Sequence, residues 1–258
     1  MSDLDPYEDV KQLLQHDPSA AVARLRSQAQ LGDANAQLGL GQLLINGVGT
    51  RLDSTEALRW FHAAADAGVT MAMNMIGRCH EYGFGTAVNY PQAAYWYLYA
   101  AGLDCDWAMY NYAQLLAHGR GVAQDRAAAF TWFQMAANRG HARAMNFLGL
   151  YHERGWGAPV DRHVAFDWYR KSAEGGDYRG QCSHASALAE QGHMDQALHW
   201  LGRATANAPP RFIAELATTL ASSAHKELRA FAKTLPPLPD PSTRERLRAA
   251  YGRASAWS

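Results

Sequence analysis

From residue 33 onward the chain repeats one pattern of apolar, small and turn-forming residues every 36 positions. Tryptophan stands at Trp60, Trp96, Trp132 and Trp168, and Trp200 follows after a shortened interval of 32. Alanine keeps the same step at Ala36, Ala72, Ala108 and Ala144, again at Ala57, Ala93, Ala129 and Ala165, and again at Ala65, Ala101, Ala137 and Ala173. So do the glycine pairs Gly47/Gly49, Gly83/Gly85, Gly119/Gly121 and Gly155/Gly157, and the polar residues Asp53, Asn89, Asp125 and Asp161. Several residue classes locked to one period define a tandem array.

Within each repeat the pattern predicts two helices around the Gly-x-Gly turn. Glycine ends a helix in the left-handed region without a Cβ clash. The Asp or Asn that follows is suited to cap the second helix through its backbone amides. That helix carries an alanine and then an aromatic pair three and four residues on, as in Ala57, Trp60 and Phe61, which is one face of a helix. The small alanines let helices approach, and the tryptophan is expected to fill the volume beside them. Gly68, Gly140 and Gly176 end the second helices; where repeat two has Asp104, the nearby Gly102 is expected to serve. In the first helices, Leu40-Gly41, Ile76-Gly77 and Leu148-Gly149, with Tyr112-Ala113 in repeat three, imply close packing. No alternating strand pattern of useful length appears.

The repeats are assigned to 33–68, 69–104, 105–140, 141–176 and a short fifth at 177–208, where Glu190 to Asp195 replaces Gly-x-Gly. Residues 1–32 read as an N-terminal helical cap: 18–32 mimic a lone second helix, with Ala21, Ala29 and Gly32 in register and a charge, Arg24, at the aromatic position, and 6–16 supply a partner helix. Residues 209–258 read as a C-terminal cap or tail. A helix from Arg211 to Leu235 is expected there, then a break over Pro236–Pro241, then Ser242 capping a last basic helix through Arg253.

These residues resemble the Sel-1-like repeats, relatives of the tetratricopeptide repeats. Repeat four carries the family pattern most fully, from Ala144 through Leu148-Gly149, Gly155, Gly157, Asp161, Ala165, Trp168-Tyr169 and Ala173 to Gly176. The family tyrosine four residues after the leucine is replaced by Leu44, His80, Leu116 and His152. The resemblance implies an all-α fold, a right-handed α/α superhelical solenoid of helix-turn-helix repeats. It also implies an adaptor or scaffold; some bacterial members of the family act as immunity proteins to toxins.

Composition narrows the partner. The chain has 24 basic and 24 acidic residues and no net charge, so the basic footprint of a nucleic-acid binder is missing. The acidic start, MSDLDPYEDVKQLLQ, does not read as a secretory signal, and no stretch reaches bilayer length. Cys79, Cys105 and Cys182 form no disulfide framework. A cytoplasmic location is expected.

Catalytic and metal chemistry find no support. His80-Glu81 and His152-Glu153 occupy equivalent positions, but the second histidine of a zinc-protease helix is replaced by Phe84 and Trp156. Each histidine is expected to pack in the tyrosine's place with one polar edge hydrogen-bonded. There is no Cys-x-x-Cys, no phosphate loop and no nucleophile elbow. No cofactor, metal or catalytic residue is assigned, and an enzyme acting on a small molecule is the weakest reading. The stronger one is a protein or peptide partner gripped by the first helices, which line the concave side of such arrays. In register, Asn35, Met71, Trp107 and Arg143 form one row, Leu38, Asn74, Tyr110 and Asn146 a second, and Gln42, Arg78, Gln114 and Leu150 a third. The assigned binding residues are Asn35, Gln42, Asn74, Arg78, Trp107, Tyr110, Gln114, Arg143 and Asn146. Amides hold a peptide backbone, arginines fork to a carboxylate, and Trp107 and Tyr110 offer aromatic anchors.

Overall fold

The computed structural model describes residues 6–236, and among them the regular structure is fourteen helices without a strand. They are α1 (Pro6–His16), α2 (Pro18–Gln30), α3 (Ala34–Asn46), α4 (Ser54–Asp66), α5 (Thr70–Tyr82), α6 (Tyr90–Gly102), α7 (Asp106–His118), α8 (Arg126–Asn138), α9 (Ala142–Arg154), α10 (Arg162–Glu174), α11 (Tyr178–Glu190), α12 (Met194–Asn207), α13 (Pro210–Ala221) and α14 (Lys226–Ala232). The described residues form two compact units that meet in sequence between Gln124 and Asp125, the first holding α1–α7 and the second α8–α14. In the first each helix packs on the next, and in the second α8 to α12 do so in turn and α13 packs on α14, as in a helical solenoid. The prolines beyond Pro236, the Ser242 cap and the helix through Arg253 lie outside the described residues.

The turn chemistry is as expected. Carboxylate or amide oxygens of Asp53, Asn89, Asp125 and Asp161 accept from the backbone N–H of Glu56, Gln92, Ala128 and Val164 at 2.8, 3.1, 2.9 and 3.0 Å. The first glycine of each pair is a left-handed C-cap, with φ of 66° at Gly47 and 73° at Gly83. The second glycine has another reason. A Cβ on Gly49 would lie 2.1 Å from the carbonyl oxygen of Pro18, and one on Gly85 would lie 2.2 Å from that of Ser54. Each turn therefore rests, backbone on backbone, against the first turn of α2 or α4 in the preceding pair.

The tryptophans are not the core residues the period suggested. Trp60, Trp96, Trp132 and Trp168 are half-buried, whereas the next residue in each helix, Phe61, Tyr97, Phe133 or Tyr169, is buried. The reason lies in the first helices. A Cβ on Gly41, Gly77 or Gly149 would sit 2.5, 2.6 or 2.5 Å from the ring of Phe61, Tyr97 or Tyr169. The ring occupies the space a side chain would take, and the indole is left at the edge of the pair. There Trp60 donates to Glu56 at 3.1 Å, and Trp168 and Trp200 lie under Lys171 and Arg203 at 4.4 and 4.7 Å.

Two other expectations are corrected. Asp104 itself takes the left-handed conformation, with φ of 70°, and Gly102 stays in α6. A short polar side chain tolerates that region at modest cost. The single helix expected over Arg211–Leu235 is two helices, α13 and α14. Between them the hydroxyl of Ser223 accepts from the His225 N–H at 3.2 Å, and the Arg229 guanidinium takes the carbonyls of Ser223 and Ala224, both at 2.7 Å. These local bonds replace the helical ladder. The break lets Leu220 and Leu228 pack together with Leu188 and Leu201.

Candidate partner-binding site

In the first unit the assigned residues lie on α3, α5 and α7, and their exposure divides them. Asn35 is exposed, and Gln42, Trp107, Tyr110 and Gln114 are half-buried. Asn74 and Arg78, expected to face a partner, are only 2% and 6% exposed. Asn74 is held on both sides: its Oδ1 accepts from Asn111 Nδ2 at 2.8 Å, and its Nδ2 reaches Met71 Sδ at 3.6 Å. The Arg78 guanidinium lies 5.9 Å from the ring centre of Tyr82. Asn74 joins α5 to α7, and Arg78 is buried along α5 itself. Asn111 escaped the sequence reading. Its signal is an amide where the other repeats place Gly39, Met75 and Phe147.

In the second unit Arg143 and Asn146 stand on α9, both half-buried. Arg143 has an acid of its own chain beside it. Its Nε lies 3.6 Å from Asp177 Oδ1, a carboxylate that also caps α11 by accepting from Gly180 N–H at 2.8 Å. Trp156, inside the Gly-x-Gly turn of repeat four, is packed: the Arg126 guanidinium lies 4.5 Å from its ring and Tyr151 meets it edge-on at 5.6 Å.

Hydrogen bonds hold two carboxyls below the usual range, Glu56 through Arg26 and Asp161 through the Val164 N–H, and burial displaces the thiols, phenols and imidazoles. It pushes the Cys79 and Cys182 thiols up to about 12 and raises Tyr97 well above the usual phenol range. It also lowers His80 and His184, with His62 adding to the effect at His80 and Arg170 at His184. The expected hydrogen-bonded edge of His80 and His152 is not found at Nδ1, which is buried and unpartnered in both. His152 instead meets Phe130 edge-on at 5.4 Å. No group of three histidine, cysteine or acidic side chains able to hold a metal occurs among the described residues.

One further pattern was missed. The Tyr97 hydroxyl donates to Glu81 at 2.7 Å and that of Tyr169 to Glu153 at 2.8 Å. Where the core ring is Phe61 or Phe133, the residue sixteen earlier is Ile45 or Ala117. The hydroxyl and the acid occur together or not at all. The signal is a second, 72-residue period: Ala72-Met73-Asn74 returns as Ala144-Met145-Asn146, and Gln42-Leu43-Leu44 as Gln114-Leu115-Leu116.

Stacked helix pairs that repeat along the chain define a class: helical-repeat proteins. This chain belongs to the Sel1 repeat family, whose repeat signature matches residues 34–69, 70–105, 108–141 and 142–177. Sel1 repeats typically mediate protein–protein interaction and are generally non-catalytic. No curated protein matches the chain. Among solved structures it is similar to a Sel1 repeat protein from Oxalobacter formigenes, with 25% identity, a TM-score of 0.72, and 88% of this chain and 97% of that one covered. It is also similar to c5321, described as a protective antigen present in uropathogenic Escherichia coli strains, with 22% identity, a TM-score of 0.65, and 96% of this chain and 56% of that one covered. The immunity protein Pa5087 from Pseudomonas aeruginosa shares 14% identity with a TM-score of 0.58, covering 86% of this chain and 82% of that one. Among the described residues no helix is long and apolar enough to cross a membrane.

Proposed function

We propose that this protein is a non-catalytic adaptor that binds a protein or peptide through its first-helix faces, with α7 as the main contact in the first unit. The observation that carries the reading is the set Trp107, Tyr110 and Gln114 at i, i+3 and i+7 of one helix, all partly exposed. The Asn74–Asn111 bond ties α7 to α5, so the rings are held in place before a partner arrives and little ordering entropy is left to lose. Half-buried aromatics are the side chains that dominate interface energies. Asn35 and Gln42 supply polar contacts on α3, and Asn146 does so on α9. The free cysteines, with Cys79 and Cys105 buried, fit a reducing, cytoplasmic setting.

The test is capture of the partner from the native cell, followed by binding measurements with the purified pair. Trp107→Ala with Tyr110→Ala should weaken binding by about 30-fold or more while the helical spectrum is kept. Undiminished affinity in that variant defeats the proposal. The named immunity function of one structural neighbour makes a toxin the partner class to try first. Co-expression with a toxin encoded beside this gene should restore growth, and the same double variant should abolish the rescue.

A further inference from the structure

The outer face of α6 differs from every other second helix of the array. Position 95 is tyrosine, where the equivalent residues are Arg59, Thr131, Asp167 and His199. Position 98 is leucine against His62, Gln134, Arg170 and Gly202, and position 99 is tyrosine against Ala63, Met135, Lys171 and Arg203. Apart from Met135, four of the five repeats thus keep this stripe polar, charged or small, and one makes it aromatic and aliphatic. Burial does not explain the change: Tyr95, Leu98 and Tyr99 are 60%, 43% and 50% exposed. Nor are the rings loose. Tyr95 and Tyr99 stack with centroids 6.3 Å apart and planes within 5°, and Trp96 meets both edge-on at 5.7 and 6.5 Å. Contiguous apolar surface of this kind on a soluble chain marks an interaction site.

We propose that this face is the interface of a homodimer, formed by α6 of one copy packing antiparallel on α6 of a second. The charge pattern selects that occupant. Residues 90–102 contain no ionisable acid or base apart from tyrosine hydroxyls, so α6 is the one second helix of the five repeats without Asp, Glu, Lys or Arg. A partner with a charged surface would leave its charges desolvated and unpaired against this helix, which is unfavourable. A second α6 brings no charge to strand. Depletion of charge with enrichment of tyrosine and tryptophan is also the composition of an interface centre. The chain's net charge of zero adds no repulsion between copies. A two-fold axis beside Leu98 sets Tyr95 of each copy over Tyr99 of the other, the self-complementary arrangement that closes a dimer without open-ended assembly. The second helices make this contact, so the first-helix faces stay open in both copies.

The experiment uses sedimentation velocity on the full chain, with Tyr95→Asp, Leu98→Arg and Tyr99→Lys combined. These are the residues repeat four carries at the same positions, so the array tolerates them. The parent should sediment at twice 28.4 kDa, dissociating only on dilution, and the triple variant at 28.4 kDa with an unchanged circular dichroism spectrum. A parent that stays at 28.4 kDa at the highest attainable concentration overturns the proposal and gives the face to a different occupant. A triple variant that keeps the dimer mass overturns it as well.

Discussion

Tyr97 and Glu81 are joined by a 2.7 Å hydrogen bond in which both side chains are buried, whereas the equivalent acid of Tyr169, Glu153, is exposed. The same pair therefore carries different weight in the two places. Removing the hydroxyl by Tyr97→Phe leaves a buried acid short of a donor and should cost about 1–3 kcal/mol. Tyr169→Phe exposes Glu153 to water instead and should cost less than about 1 kcal/mol. Urea denaturation of the two variants compares them directly, and equal losses would contradict the account.

Phe133 is fully buried, like the rings that plug the glycines of the other repeats. Phe133→Ala should cost about 3–5 kcal/mol, the usual range for a buried aromatic. Trp132→Ala, one residue earlier and half-buried, should cost roughly half as much. Thermal melts of both proteins check the order, and a larger loss at Trp132 would restore the indole to the core.

Left-handed glycines fall into two kinds. Gly68 has φ of 87° and open space, with nothing within 4 Å, where a Cβ would stand, so Gly68→Ala meets only backbone strain of about 1 kcal/mol. Gly49→Ala adds a collision with the Pro18 backbone and should lose several times as much, with earlier proteolysis around α2. Limited proteolysis with mass mapping reads this out. Similar cleavage in the two variants would show that α2 is not braced by the turn.

His184 holds a core position that carries Leu40 and Leu148 elsewhere, with its ring 4.9 Å from Phe166 and 5.5 Å from Trp200. Its folded-state affinity for a proton is lowered, first by burial and then by Arg170, with Glu174 opposing. Below the unfolded-state value near 6.5 the unfolded chain binds the proton first, so stability falls as pH drops through that range and on toward the folded value. His184→Leu should flatten this acid loss. Melting temperatures recorded between neutral and mildly acidic pH test it, and an unchanged slope would remove His184 as a cause.

The array was legible because its turns and caps use residues with few substitutes, glycine at positive φ and Asp or Asn before a helix. The core was legible only in part. Tryptophan keeps the strictest period, yet Phe61 or Tyr97 is the ring that fits over the bare backbone of Gly41 or Gly77, a relation between positions twenty apart that the period does not expose. The candidate site was harder still. Register places Asn74, Arg78 and Arg143 on the first-helix face, but the pattern cannot weigh their neighbours: Asn111 holds Asn74, Asp177 lies beside Arg143, and Arg78 is buried along α5.

The contact of Gly49 with Pro18 and of Gly85 with Ser54 has a consequence for how such a chain can grow or be rebuilt. Each junction is mostly main chain, with the Pro18 Cβ also close to Gly49, so it makes little demand on the side chains around it. A module exchanged, duplicated or excised at these seams must carry the bare position with it and keep side-chain pairs that cross the seam, such as Asn74–Asn111 and Arg143–Asp177, matched. Shortening or lengthening the loop by a single residue would move that position off its seat and cost the junction altogether.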